Sequence, residues 1–272
     1  MGKRILTAVI FVPLLIIVIY VLPRPVLPIL LSVLSMVALR EALWSTGFVK
    51  NLRISIYSIL LAGAIPLWVW AREPMIFALC GLLAYLVLVF AEALASHFAV
   101  TLEKIGGAFF FAMLIPYFLS SFLRIRALPD VGIYLVILPL ITAFTSDACA
   151  LFAGMLFGKH KLAPELSPKK TVEGALGGLI GAVVCTVAYG LVMANIFGCA
   201  ASWPLLTLCG AAGSVLSQLG DLSFSYIKRQ YKIKDFGNLL PGHGGVLDRF
   251  DSVIFCAPLL ELFCTLFPVF TA

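Results

Sequence analysis

The stretch VEGALGGLIGAVVCTVAYGLVMANIF, residues 172–197, carries one charged side chain, Glu173, near its start and none after it. Roughly 20 residues of helix cross a bilayer, so this run is long enough to span a membrane once. Lipid leaves backbone N–H and C=O groups without partners, so a span must be a helix or a strand of a closed barrel. The run lacks the alternation of apolar and polar residues that a membrane barrel needs. It predicts a transmembrane helix.

Comparable runs recur on both sides of it, near 5–22, 26–43, 54–71, 75–96, 105–123, 131–157, 204–229 and 251–270. The sequence therefore predicts an all-α, polytopic integral membrane protein with about nine transmembrane helices. Composition agrees: of 272 residues, 62% are hydrophobic and 12% charged, with a mean hydropathy of +1.11. Soluble domains carry about 25% charged residues, which excludes that class. The opening MGKR and the apolar run behind it lack a small-residue cleavage site before VLPRP, so the run reads as a retained first helix, not a signal peptide.

Lys and Arg favour the cytoplasmic side of a membrane. With the N-terminus inside, 15 of the 19 basic residues fall on inner segments, and only Arg24, Arg72, Arg124 and Arg126 on outer ones. The net charge of +6 then reflects topology and attraction to anionic headgroups. No basic stripe points to nucleic acid. The seven cysteines show neither CxxC nor CxxH spacing and read as packing residues.

Residues 1–125 form a nearly featureless membrane scaffold. Glu41 and Glu92 lie in or beside apolar spans, where interfacial placement or a helix-to-helix hydrogen bond accounts for them. Residues 126–272 differ, because polar residues gather in TSDACALFAGMLFGKHK, in SPKKTVEG and from Gly220 onward. That half is the expected catalytic domain.

Asp147 lies inside an apolar run, where an ionised carboxylate costs several kcal/mol unless it is compensated. Either a lysine or arginine of a neighbouring helix pairs with it, or it lines a polar active-site cavity. In SPKKTVEG, Ser-Pro is a helix-start signal, with Ser167 as cap and Pro168 in the first turn. A helix start flanked by Lys169, Lys170 and Thr171 is either a phosphate site or an ordinary capped membrane helix. Glycines 174, 177, 178 and 181 add a face suited to close helix packing.

Further on, Asp221, Ser225 and Lys228 stand at i, i+4 and i+7, a spacing that puts them on one helix face beside Arg229. The following loop supplies Lys232, Lys234, Asp235 and a glycine-rich turn containing Gly242, His243, Gly244 and Gly245. Asp248 and Asp251, at i and i+3, open the last helix, with Arg249 between them. Carboxylates suit a hard cation such as Mg²⁺, basic side chains suit phosphate, and glycines let backbone N–H groups approach an anion. Together they read as a site for a nucleotide–metal complex. A Walker-type GxxxxGK[ST] and a zinc-type Cys/His cluster are both missing from the sequence. His243 is either a general acid/base or a loop-fixing hydrogen-bond partner.

Ser225, Lys228, Arg229, Lys234, Asp235 and Gly237, followed by LPGHGGVLDRFD (240–251), resemble the signature of phosphatidate cytidylyltransferases, also called CDP-diacylglycerol synthases. SPKKTVEG, Asp147 and the polytopic character resemble that family as well. The resemblance implies that phosphatidic acid attacks the α-phosphorus of CTP, giving CDP-diacylglycerol and pyrophosphate, with Mg²⁺ required and room in the donor set for a second metal ion. It makes Asp221 and Asp248 the chief metal ligands, supplemented from Asp147, Asp235 and Asp251. Lys169, Lys170, Lys228, Arg229, Lys234 and Arg249 become the expected phosphate contacts, with Ser167, Thr171, His243, Gly244 and Gly245 around the substrates. It also implies a bacterial inner membrane, an active site facing the cytoplasm, and membrane lipids as neighbours. The glycine-bearing helices offer a face for a homodimer.

Two rivals stand beside it. A CTP-dependent polyprenol or lipid kinase would also join a nucleotide to a membrane lipid, but must activate a neutral hydroxyl. A transporter would share the many helices and buried acids, yet has no evident need of LPGHGGVLDRFD and should show an inverted repeat. The DGxxAR-type motif of CDP-alcohol phosphotransferases does not occur.

Overall fold

The computed structural model describes residues 17–47, 51–97, 99–239 and 244–271. In chain order the elements are α1 (Val26–Ser45), α2 (Leu52–Ala71), α3 (Met75–Ala95), α4 (Leu102–Leu119), α5 (Ser121–Arg126), α6 (Gly132–Leu135), α7 (Leu138–Phe157), β1 (Lys161–Ala163), β2 (Ser167–Thr171), α8 (Val172–Phe197), β3 (Ala200–Ala201), α9 (Trp203–Gln230), α10 (Leu247–Leu266) and β4 (Phe270–Thr271). The all-α, polytopic expectation holds, with two short two-stranded ladders added.

Seven helical segments of the described residues are long and apolar enough to cross a membrane. They correspond to seven of the nine expected spans. The first, 5–22, lies largely outside the described residues. The ninth is α10, which is helical but carries Asp248, Arg249, Asp251 and Glu261 and so is too charged to qualify by composition.

Two compact units emerge, Met1–Leu123 with Ile233–Arg249, and Arg124–Lys232 with Phe250–Ala272. The expected scaffold segment is thus joined in its unit by the loop that follows α9 and by the first residues of α10.

In the first unit α1 packs on α2 and α4, and α2 packs on α3. Asn51 caps α2, its side chain accepting from the N–H groups of Arg53 and Ile54 at 2.9 and 3.4 Å. The same Asn51 donates to Glu92 of α3 at 2.9 Å, and Arg53 bonds Glu92 at 3.1 Å. Glu92 therefore makes the expected helix-to-helix hydrogen bond. Ser32 of α1 donates to the Gly63 carbonyl of α2 at 2.8 Å, which fixes that close crossing.

In the second unit α7, α8 and α9 pack mutually. The α8 glycines do serve close packing, but within the chain. Side chains added at Gly177 and Gly181 would overlap Ala153 and Cys149 of α7, and one at Gly178 would lie 2.8 Å from the Ser146 carbonyl. That face is consumed by α7, so it is not the surface for a homodimer. The Glu261 charge on α10 is compensated by Arg124, whose Nε and Nη2 donate to the two carboxylate oxygens at 2.6 and 2.8 Å. All seven cysteines are free.

Candidate active site

The second unit holds the denser polar cluster, and its construction starts at the β1–β2 hairpin. Ser167 does not cap a helix. It pairs with Ala163 in the antiparallel ladder, and Lys161 pairs with Thr171. Proline lacks an N–H and is tolerated in a short exposed strand, so Ser-Pro serves as strand here and the helix starts four residues later. Thr171 is the cap: its backbone is extended (φ −125°, ψ 155°) and its Oγ1 accepts from the Gly174 N–H at 3.1 Å. The expected start of the span at residue 172 is correct, and the expected cap is not.

The hairpin is anchored at both ends. Glu173 accepts from the Lys159 and His160 N–H groups at 3.0 and 3.2 Å and contacts His160 Nδ1 at 2.6 Å. Arg229 of α9 donates from Nε to the Leu166 carbonyl at 3.1 Å. This delivers Lys170 to Asp221, with Nζ 2.5 Å from Oδ2. Lys169, next to it, is exposed and Ser167 half-buried.

The predicted stripe on α9 is present. Ser225 donates to Asp221 Oδ1 at 3.3 Å, and Lys228 lies a turn further on with Nζ 3.7 Å from Asp251 Oδ2. The Lys228 and Asp251 side chains are only 10% and 9% exposed. Such a pair must be mutually compensated, since a lone buried charge is strongly destabilising. Gly220 allows the approach of α9 to α10 here, because a Cβ at that position would sit 2.8 Å from the Asp251 carbonyl.

Asp147 of α7 completes the cluster. Its Oδ2 accepts from Ser252 Oγ at 2.8 Å, while the Ser252 N–H donates to Asp251 Oδ1 at 2.8 Å. Asp147, Asp221 and Lys228 are the charged neighbours that act on Asp251. Asp147 thus belongs to a polar cluster with two other acids. Ser252 joins two acids of this cluster and was not foreseen; its only sequence signal is a hydroxyl beside Asp251 at the head of an apolar run.

In the first unit, Asp248 is buried, and its Oδ2 accepts from the N–H groups of Phe236 and Gly245 at 2.8 and 3.0 Å. Gly244 has φ +82°, a left-handed conformation that favours glycine. A Cβ there would also come within 3.1 Å of Asp248 Oδ2. Lys234, Asp235 and Arg249 are exposed, and His243 lies outside the described residues. Glu41 of α1 enters this region too, accepting from the Leu247 N–H at 2.9 Å. Glu41 was expected to be interfacial or to bond another helix, and it does the latter: its partner is the first residue of α10.

Mg²⁺ is commonly held by one or two carboxylates together with substrate phosphates. The oxygens of Asp221, Asp251 and Asp147, beside two lysines, have the donor chemistry for that open arrangement. Among the described residues no group of three or more His, Cys, Asp or Glu forms a ready-made metal cage.

Carboxylates and lysines interleaved among apolar helices define a membrane protein whose polar site suits anionic phosphates and their counter-cations. A model of the Cytidylyltransferase family matches residues 2–267, and the chain belongs to that family. It is 40% identical over 199 residues to the phosphatidate cytidylyltransferase of Bacillus subtilis (strain 168), an alignment covering 72% of this chain and 68% of that one. It is 37% identical over 158 residues to the enzyme of the same name from Thermotoga maritima, covering 57% and 58% of the two chains. A third, from Brucella suis biovar 1, is 46% identical over 126 residues, covering 46% and 44%. These alignments span between under half and about two thirds of the relatives' lengths.

Proposed function

We propose that this membrane cytidylyltransferase moves the cytidylyl group of CTP to phosphatidic acid, forming CDP-diacylglycerol and releasing pyrophosphate. The observation that carries the proposal is the cluster in which Lys170 meets Asp221 and Lys228 meets Asp251, with Asp147 joined to Asp251 through Ser252. The names of the relatives supply the substrate.

A phosphate oxygen of phosphatidate, already ionised at neutral pH, attacks the α-phosphorus of CTP. The new P–O bond forms as the bond to the bridging oxygen of the β-phosphate breaks, and pyrophosphate carries away that electron pair. No strong general base is required. The work is to bring two anions together and to stabilise charge on the transferring and departing groups. Lys170 and Lys228 bind and orient phosphate, with Lys169 and Arg229 exposed beside them; Ser167 and Thr171 bound the strand that carries Lys169 and Lys170. Lys234, Arg249, Gly244, Gly245 and His243 are further proposed phosphate contacts.

Asp221 and Asp248 are the proposed chief metal ligands, with Asp147, Asp235 and Asp251 supplementing them. Mg²⁺, with a second metal ion where two are held, supplies neutralisation of phosphate oxygens when bound. The cytoplasmic face of a bacterial inner membrane is the proposed location, because the nine-span topology expected from the sequence would put 15 of the 19 basic residues on one side and CTP is water-soluble. A homodimer remains a proposed assembly, by a face other than the α8 glycines.

Labelled CTP tests the reaction. Label at the α-phosphate should enter the organic phase with phosphatidate present, while label at the γ-phosphate should remain in water as pyrophosphate. Transfer of the γ-label to lipid would mark a kinase instead.

A further inference from the structure

We infer that Glu41 is a positioning residue for the reaction, holding from α1 the turn that carries Asp248. The first N–H groups of a helix have no intrahelical acceptor. At the start of α10 that need is met by a carboxylate 206 residues upstream: Glu41 Oε2 accepts from the Leu247 N–H at 2.9 Å, and the Val246 amide acts on the same carboxylate. Immediately alongside, Asp248 Oδ2 accepts from Phe236 and Gly245. Two carboxylates therefore converge on the start of α10: Asp248 from its own helix, which also ties in Phe236, and Glu41 from α1.

The fit around Glu41 is tight. A Cβ on Gly237 or on Gly245 would overlap its carboxylate. The two glycines bracket Glu41 so that backbone can close on it from both sides of the loop. Neither glycine needs left-handed geometry, since Gly244 alone among the described loop residues 233–239 and 244–246 has positive φ. Close approach to Glu41 is the reason that side chains are missing at 237 and 245. Glu41 touches no reacting atom; it fixes the backbone from which Asp248 projects. An error of about 1 Å in placing such a group can cost about 100-fold in rate.

This role rests on the reaction proposed above, and the test separates the two. Glu41→Ala removes the clamp, Glu41→Asp keeps the charge but withdraws it by one methylene, and Glu41→Gln keeps reach and an acceptor oxygen. Hydrogen–deuterium exchange of peptides covering 244–250, in detergent without substrate, reads the clamp directly. Steady-state kinetics with CTP, phosphatidate and Mg²⁺ reads its consequence. Exchange at Val246 and Leu247 should quicken in Glu41→Ala and Glu41→Asp, with kcat lower by about 10–100-fold, as for groups that orient catalytic ligands. Glu41→Gln should restore slow exchange and most of the rate. Unchanged exchange in both Ala and Asp variants, or faster exchange with unchanged kcat, overturns the role. If the wild-type chain transfers no cytidylyl group, the reaction is wrong, and the exchange comparison alone decides whether the clamp exists.

Discussion

Lys170 Nζ lies 2.5 Å from Asp221 Oδ2, a lysine from a short hairpin brought to a carboxylate in a membrane helix. The two side chains are about equally exposed, at 26% and 27%. This is a reachable pair: a phosphate can compete for the lysine and a cation for the carboxylate. Asp221→Asn should lower kcat by about 10²–10³-fold, the range seen when one preorganised electrostatic group is lost. Initial rates of pyrophosphate release on protein that still elutes as a single folded species check it; a rate near wild type at saturating Mg²⁺ rules out a ligand role.

The Lys228–Asp251 pair is more deeply buried and serves stability as well. Lys228→Met strands Asp251 and should cost about 3–5 kcal/mol, the price of an uncompensated buried charge. Lys228→Met with Asp251→Leu should recover most of that stability without recovering activity. Thermal unfolding midpoints in detergent, beside turnover, check both halves.

Thr171 and Ser167 give a sharp contrast. Loss of a capping hydroxyl costs about 1 kcal/mol, so Thr171→Ala should lower the unfolding midpoint while Ser167→Ala leaves it nearly unchanged. The reverse order would restore Ser167 as the cap of α8.

Gly237 and Glu41 should be energetically coupled. Gly237→Ala forces its methyl into the Glu41 carboxylate, and Glu41→Ala empties that space. Stability losses of the two single variants should exceed that of the double variant by about 0.5–3 kcal/mol, as for residues in contact. Strict additivity in a double-mutant cycle would contradict the packing.

Much of this was legible in the sequence because it is local. Apolar length gives the spans, and the i, i+4, i+7 spacing places Asp221, Ser225 and Lys228 on one face without any tertiary knowledge. Ser167 misleads because Ser-Pro is a helix-start signal only when no strand partner is available, and Ala163 provides one. The Glu41–Leu247 bond joins residues 206 apart, and no periodicity or spacing announces it. Ser252 is similar, since its partner Asp147 lies 105 residues away. Polar residues inside apolar runs mark where function sits; which of them meet depends on how the helices pack.

Pyrophosphate release by the purified protein in mixed micelles, measured with CTP, phosphatidic acid and Mg²⁺ and with each omitted in turn, tests the central claim most directly. Release that requires all three, matched by an equal amount of CDP-diacylglycerol, is the predicted result. Release without phosphatidic acid, or no release from folded protein with all three present, would contradict it.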